Sequence, residues 1–154
     1  MIVGITNPDP GRTKDEVVDP NRSLPSANPL IYYERYQMVK SVLDAEGLEH
    51  DEYSIVSFPI NQPELYKYYV PLDAIFYLTI YDDWGRRKQE YFQGLGLKIT
   101  ILWEKPESEK GLTSSMIRAR IINGEPWEDL VPLKAYEFLK ILDMKEGLKL
   151  DVKK

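Results

Sequence analysis

The chain has 154 residues, 43% of them hydrophobic, which is enough to bury the core of one globular domain without disulfide or metal support. It contains no cysteine, which excludes thiol catalysis, disulfides and cysteine-ligated metal centres. A net charge of −5 argues against broad binding to nucleic acid, and no apolar run has the length of a membrane span or signal peptide. We therefore expect one cytoplasmic domain with neither nucleic acid nor a membrane as its partner.

The first elements predicted are a strand, a long loop and a helix. Residues 1–6 are short, apolar and β-branched, as in a buried parallel strand. Residues 7–28 are proline-rich, aperiodic and longer than most unstructured connections, so we expect this loop to be either functional or disordered. Asn28 and Pro29 fit the N-cap and first position of a helix that ends at Gly47.

Strands and helices continue to alternate along the rest of the chain. Strands are predicted at residues 53–58, 73–80 and 98–103, a short aromatic helix at 64–70, and helices at 83–95, 113–122 and 132–142. This order predicts an α/β fold with a single doubly wound parallel sheet, formed by a domain of residues 1–142 that is followed by a fraying tail of residues 143–154. Ligands bind such sheets at the carboxyl ends of the strands.

Three hydroxyl residues begin the helix predicted after the fourth strand. Thr113, Ser114 and Ser115 stand where backbone N–H groups and the positive end of the helix dipole favour an anion. Arg118 lies one turn further on the same face, so its guanidinium could clamp phosphate oxygens. The alternative is that Thr113 only caps the helix and that Arg118 is solvated.

A second candidate site follows the most apolar strand. Tyr81, Asp82 and Trp84 come directly after residues 73–80, at a carboxyl end where a ligand would lie. The alternative is that Asp82 or Asp83 simply caps the next helix.

Several other aromatic and titratable residues have a structural interpretation beside a functional one. Tyr66, Tyr68 and Tyr69 could stack on a ligand ring, but an aromatic helix on a sheet belongs to the core more often. We expect His50 to be a surface residue and Trp127 to pack the last two helices together.

The motifs around the hydroxyl run resemble those of a known family. Thr113 to Arg118, followed by Asn123 to Pro132, resembles the C-terminal signature of the nicotinamide-nucleotide adenylyltransferase-like enzymes of the cytidylyltransferase-like superfamily. That signature is a Ser-Gly-Thr-x-Ile-Arg helix start followed by Gly-x-x-Trp-x-x-Leu-Val-Pro. Further resemblances to the family's motifs, which extend the likeness over nearly the whole chain, are Gly4-Ile5, Asn28-Pro29-Leu30 and Glu34-Arg35.

The resemblance implies a Rossmann-like nucleotidyltransferase fold and a reaction. The expected activity is transfer of the adenylyl group of ATP, accompanied by Mg²⁺, to nicotinamide or nicotinate mononucleotide with release of pyrophosphate. Arg118 would bind the ATP phosphates, and Ser114 and Ser115 would donate hydrogen bonds to them, although Ser114 stands where the family favours glycine. Thr113 would belong to the same nucleotide-binding set, and Tyr81, Asp82 and Trp84 could contact the base or ribose. The alternatives are another phosphorylated acceptor, or a noncatalytic nucleotide-binding or interaction module.

One family motif has no counterpart in this sequence. The family's first strand leads into a Gly-Arg-Phe-x-Pro-x-His-x-Gly-His loop whose histidines stabilise the reacting phosphates, whereas this chain contains one histidine, His50. The resemblance implies that the chain starts at the family's second strand and that, alone, it has little activity. We expect the strands flanking the missing one to pair directly or to accept a partner segment or a second copy of the chain.

Overall fold

The computed structural model describes residues 1–6 and 29–142. The loop of residues 7–28 and the tail of residues 143–154 predicted above therefore lie outside the described residues. Three short 3₁₀ helices occupy Pro63–Tyr68, Glu107–Glu109 and Glu128–Leu130. The described strands and helices are β1 (Ile2–Thr6), α1 (Tyr32–Ala45), β2 (Ser54–Phe58), β3 (Ile75–Ile80), α2 (Asp83–Gly94), β4 (Lys98–Glu104), α3 (Ser114–Asn123) and α4 (Leu133–Ile141). The α/β class and the order of its elements are confirmed.

The start of α1 differs from the prediction. Pro29 is not helical, and the helix begins at Tyr32 after Ile31, whose backbone is extended. The Ile31 N–H donates to the Glu34 carboxylate over 2.9 Å, so a side chain inside the first turn satisfies the start of the helix. Asn28, predicted as the cap, lies outside the described residues.

The chain divides into two compact units, which are described separately. The first unit contains Met1–Asn61 and Ser114–Lys154, and the second contains Gln62–Thr113. In the described residues, β1 pairs in parallel with β2, and β3 pairs in parallel with β4. β1 and β3, the strands expected to flank the family's missing strand, therefore do not pair directly with each other in the part of the chain that the structure describes. The alternative, that a partner segment or a second copy of the chain lies beside them, stays a prediction.

The first unit has its core around the β1–β2 sheet and the last two helices. A Cβ atom at Gly4 would lie 3.0 Å from Phe58 Cβ, so the close approach of Phe58 favours glycine. Trp127 packs against Ile117 and Ile121 of α3, and its ring centroid lies 4.8 Å from that of Tyr136 in α4. This confirms that Trp127 packs the last two helices together.

The second unit has its core between α2, the β3–β4 sheet and the first 3₁₀ helix. Tyr66 is 1% exposed and packs edge-on against Phe92, so the core interpretation is confirmed for this tyrosine. Tyr68 and Tyr69, in contrast, are exposed, and for them the core interpretation is wrong. None of the helices in the described part of the chain combines the length and apolar character that crossing a membrane requires.

Candidate functional site

The start of α3 carries the predicted anion-binding residues of the first unit. Ser114 is the first residue of the helix, and the Arg118 Nη2 group donates to Ser115 Oγ over 3.0 Å. The guanidinium therefore lies over the first turn, where the helix dipole is positive. Ser114 and Arg118 both line a cavity of about 320 Å³.

A second arginine lines the same cavity. Arg35 projects from the first turn of α1, and its Nη1 group donates to the carbonyl oxygen of Thr6 at the carboxyl end of β1 over 2.7 Å. The sequence reasoning assigned no role to Arg35, although the Glu34-Arg35 pair was part of the family resemblance. The hydrogen bond from Arg35 to Thr6 joins residues that are 29 positions apart in the sequence, and sequence periodicity does not reveal such a contact.

The rest of the cavity wall is apolar. None of the described residues that line it is acidic, so Arg35 and Arg118 are its charged groups. Its apolar lining consists of Pro29, Leu30, Met38, Ile117, Ile121, Val131, Pro132, Ala135 and Leu139.

The electrostatics of this cavity favour an anion. Burial lowers the pKa of the Arg118 guanidinium, and burial likewise lowers the pKa of Arg35, partly offset by the neighbouring Tyr32 hydroxyl. Arginine still remains cationic at neutral pH. Within the described residues, Arg118 has no carboxylate at ion-pair distance, so an anionic ligand would compensate its partly desolvated charge.

The second predicted cluster lies in the second unit, at the carboxyl end of β3. Asp82 Oδ1 accepts a hydrogen bond from the Gly85 N–H at 2.8 Å, and Oδ2 pairs with Lys110 Nζ at 2.7 Å. Asp82 is thus the N-cap of α2, which is the alternative that the sequence left open. Lys110 was not predicted, because the ion pair joins two loops that are distant in sequence.

The two aromatic residues of this cluster, Tyr81 and Trp84, each contact another side chain. The Tyr81 hydroxyl oxygen accepts a hydrogen bond from Trp103 Nε1 at 2.6 Å, and Lys88 Nζ lies 4.7 Å from the centroid of a Trp84 ring. Trp103 was not among the predicted site residues. Thr113, half-buried, is the last residue of the second unit and directly precedes α3.

His50 lies outside both clusters. Its side chain is 76% exposed, and its Nε2 atom lies 3.1 Å from Lys40 Nζ. The structure thus confirms a surface histidine. No group of three or more His, Asp or Glu side chains in the described ranges could hold a metal ion.

Comparison with known proteins defines the class of this protein. No protein-family model matches the chain. The chain is 44% identical over 132 residues to a protein named phosphonoformate cytidylyltransferase from Streptomyces viridochromogenes, a match covering 86% of this chain and 71% of that protein. It therefore belongs to the cytidylyltransferase-like nucleotidyltransferase superfamily, which confirms the predicted family.

More distant relatives are named nicotinamide-nucleotide adenylyltransferase. The protein from Pyrococcus furiosus is 31% identical over 116 residues, covering 73% of this chain and 60% of that protein. The one from Thermococcus onnurineus is 30% identical over 124 residues, covering 80% and 64%. The chain thus spans somewhat less than two thirds of these two adenylyltransferases.

Proposed function

We propose that this protein transfers a nucleotidyl group from a nucleoside triphosphate to a small phosphonate or phosphate acceptor. The observation that carries the proposal is the cavity at the start of α3, which both Arg118 and Arg35 line and in which no described lining residue is acidic. Phosphate oxygens match paired guanidinium groups in both charge and geometry.

In this reaction an oxygen of the acceptor attacks the α-phosphorus of the triphosphate. A new P–O–P bond forms, the bond between the α-phosphorus and the bridging oxygen breaks, and pyrophosphate leaves with that electron pair. No covalent enzyme intermediate is required. The contribution of this chain is charge stabilisation: Arg118, Arg35 and the dipole of α3 offset negative charge that accumulates on the leaving phosphates.

The substrate pair that we place first is CTP with phosphonoformate. The support is the 44% identity to the Streptomyces protein, against 30% and 31% for the two adenylyltransferases. Transfer of an adenylyl group from ATP to nicotinamide mononucleotide is the second candidate, supported by the number of adenylyltransferase relatives.

The described cavity does not offer the ligands that magnesium prefers. Mg²⁺ usually takes one or two protein carboxylates beside substrate phosphates, and no described lining residue is acidic. We therefore assign no step to a metal held by this chain. We propose that Mg²⁺ accompanies the triphosphate only as its counterion.

The proposal is tested by measuring pyrophosphate release and binding in parallel. Both substrate pairs, CTP with phosphonoformate and ATP with nicotinamide mononucleotide, are incubated with the protein, and each triphosphate is also titrated calorimetrically. Release that requires both members of one pair supports nucleotidyl transfer and identifies that pair. Triphosphate binding without release from either pair favours the noncatalytic nucleotide-binding alternative. The absence of any triphosphate or pyrophosphate binding overturns the proposal.

A further inference from the structure

An irregularity in β4 changes the direction of its last residues. Leu78 pairs with Ile101, but the next residue of β3, Thr79, pairs with Trp103, so Leu102 is an extra residue on β4. Bulges are uncommon between parallel strands and often re-aim a side chain near a functional site.

The bulge interrupts the alternation of inward and outward side chains. Ile99 and Ile101 are partly buried, while Thr100 and Leu102 are exposed. Regular alternation would place Trp103 on the same face as the two isoleucines. Instead, Trp103 is 45% exposed, which leaves much of a large aromatic side chain in contact with solvent.

Trp103 is nevertheless held in a defined position. Its Nε1 group donates to the Tyr81 hydroxyl over 2.6 Å. The backbone beyond it is held to β3, since the Lys105 N–H donates to the Ile80 carbonyl over 2.9 Å. The side chain of Glu104 also forms an exposed ion pair with Arg86. The hydrogen bond from Trp103 uses the edge of the indole, so it orients the ring without using its faces.

We propose that Trp103 is a specificity-determining residue that stacks on the heteroaromatic ring of the nucleotide substrate, with Tyr81 as the residue that positions it. The ring lies at the carboxyl ends of adjacent parallel strands, where α/β sheets bind their ligands. Exposed and immobilised indoles stack readily on bases. This inference rests on the proposed function, because that function supplies a ligand with such a ring.

The indole resonances of the ¹⁵N-labelled chain test the proposal without depending on phosphate binding. The Trp103 resonance is assigned by its loss in Trp103→Leu, and the chain is then titrated with cytidine, adenosine or pyrophosphate. We expect one or both nucleosides to shift the Trp103 resonance and pyrophosphate to leave it in place. Trp103→Leu should weaken nucleoside binding about tenfold, followed through backbone amides. Tyr81→Phe should weaken it less.

Tyr77→Leu is the matched control, since Tyr77 is a 60% exposed aromatic residue in β3 of the same sheet. It should bind nucleoside as the wild type does. A Trp103 resonance that no nucleoside shifts, or equal nucleoside affinity for Trp103→Leu and wild type, overturns the stacking role. If the protein still binds pyrophosphate in that case, the proposed function stands. If the wild-type protein does not bind pyrophosphate, the proposed function itself is contradicted.

Discussion

In the proposed phosphate site, Arg118 supplies a positive charge over the first turn of α3. Replacing it with alanine removes a partly buried guanidinium from the cavity and leaves Ser115 without its donor. We expect Arg118→Ala to weaken binding of ATP, CTP or pyrophosphate by about 1.5–3 kcal/mol, the usual range for a hydrogen bond to a charged group. Calorimetric titration of pyrophosphate gives the most direct measurement.

Arg120 provides the control for that experiment on the same helix. Its Nη1 group donates to the Pro126 carbonyl over 3.0 Å, and it does not line the cavity. Arg120→Ala should therefore keep its affinity for pyrophosphate. Equal affinities for Arg118→Ala and the wild type would remove Arg118 from the phosphate site.

At Gly85, α2 packs closely because glycine has no side chain. A Cβ atom there would lie 3.3 Å from Ile80 Cα, which is backbone and cannot turn away. We expect Gly85→Ala to lower the free energy of unfolding by about 1–3 kcal/mol, as overpacking usually does. Urea denaturation followed by circular dichroism measures the change.

Gly94, at the other end of α2, is the matched control. A Cβ atom at this position meets no heavy atom within 4 Å. Gly94→Ala should leave stability unchanged or raise it by about 0.4–1 kcal/mol, because alanine reduces the conformational freedom of the unfolded chain. If both variants were equally stable, the close approach at Gly85 would have no energetic consequence.

At the scale of secondary structure, local sequence patterns located each described strand and α-helix to within about two residues, apart from the start of α1. The two short 3₁₀ helices at Glu107–Glu109 and Glu128–Leu130 were not predicted. That start was misplaced because Asn28-Pro29 has the local chemistry of a cap, while the Ile31 N–H is satisfied by Glu34, three residues further on. Pairing between strands was less predictable. Short, continuous apolar runs identify β1 and β3 as strands, but hydrogen bonding with β2 and β4 depends on contacts distant in sequence.

The end of α1 and the start of β2 are joined by a cluster of titratable side chains around Asp44. Asp44 accepts hydrogen bonds from Lys40 at 2.7 Å and from the Tyr53 hydroxyl at 2.5 Å. The Lys40 ammonium, and then the Tyr53 hydroxyl, hold the pKa of the Asp44 carboxyl below its usual range. The native state therefore binds a proton at Asp44 less readily than the unfolded chain does.

This difference predicts how stability depends on pH. Because the folded pKa of Asp44 is depressed, its contribution is present above the unfolded pKa of about 4 and is lost as pH falls through the folded value. Urea denaturation between about pH 5 and pH 2.5 should show this loss. Asp44→Asn should be less stable than wild type at pH 6 and should lose less stability over the acid range. Parallel acid profiles for the two proteins would mean that Asp44 makes no such contribution.

For the molecule as a whole, the sequence predicted some residues of each candidate cluster and missed others. The hydroxyl run and Arg118 were visible because they lie within one turn of α3. Arg35, Lys110 and Trp103 were not, since each reaches its site through a contact across 20 or more residues. Local patterns therefore predicted part of each candidate site, and the fold was needed to complete the set of groups that meet there.

The turnover that the proposed function predicts for the 154-residue chain depends on the charges that the chain can offer to the reacting phosphates. Arg118 and Arg35 are placed to bind an anion, but the chain's one histidine, His50, is an exposed neighbour of Lys40 and Asp44. The family resemblance assigns the stabilisation of the reacting phosphates to histidines. Loss of one such donor commonly slows a reaction about 100–1000-fold.

We therefore expect the 154-residue chain to bind nucleoside triphosphate while turning over slowly, whether with CTP and phosphonoformate or with ATP and nicotinamide mononucleotide. Pyrophosphate release would be measured beside the Streptomyces phosphonoformate cytidylyltransferase as a positive control. Adding a segment that carries the family's His-x-Gly-His loop should raise the rate, and the same segment with both histidines changed to alanine should not. Rapid turnover by the chain alone would show that its own cations suffice, and that the histidines are dispensable for this reaction.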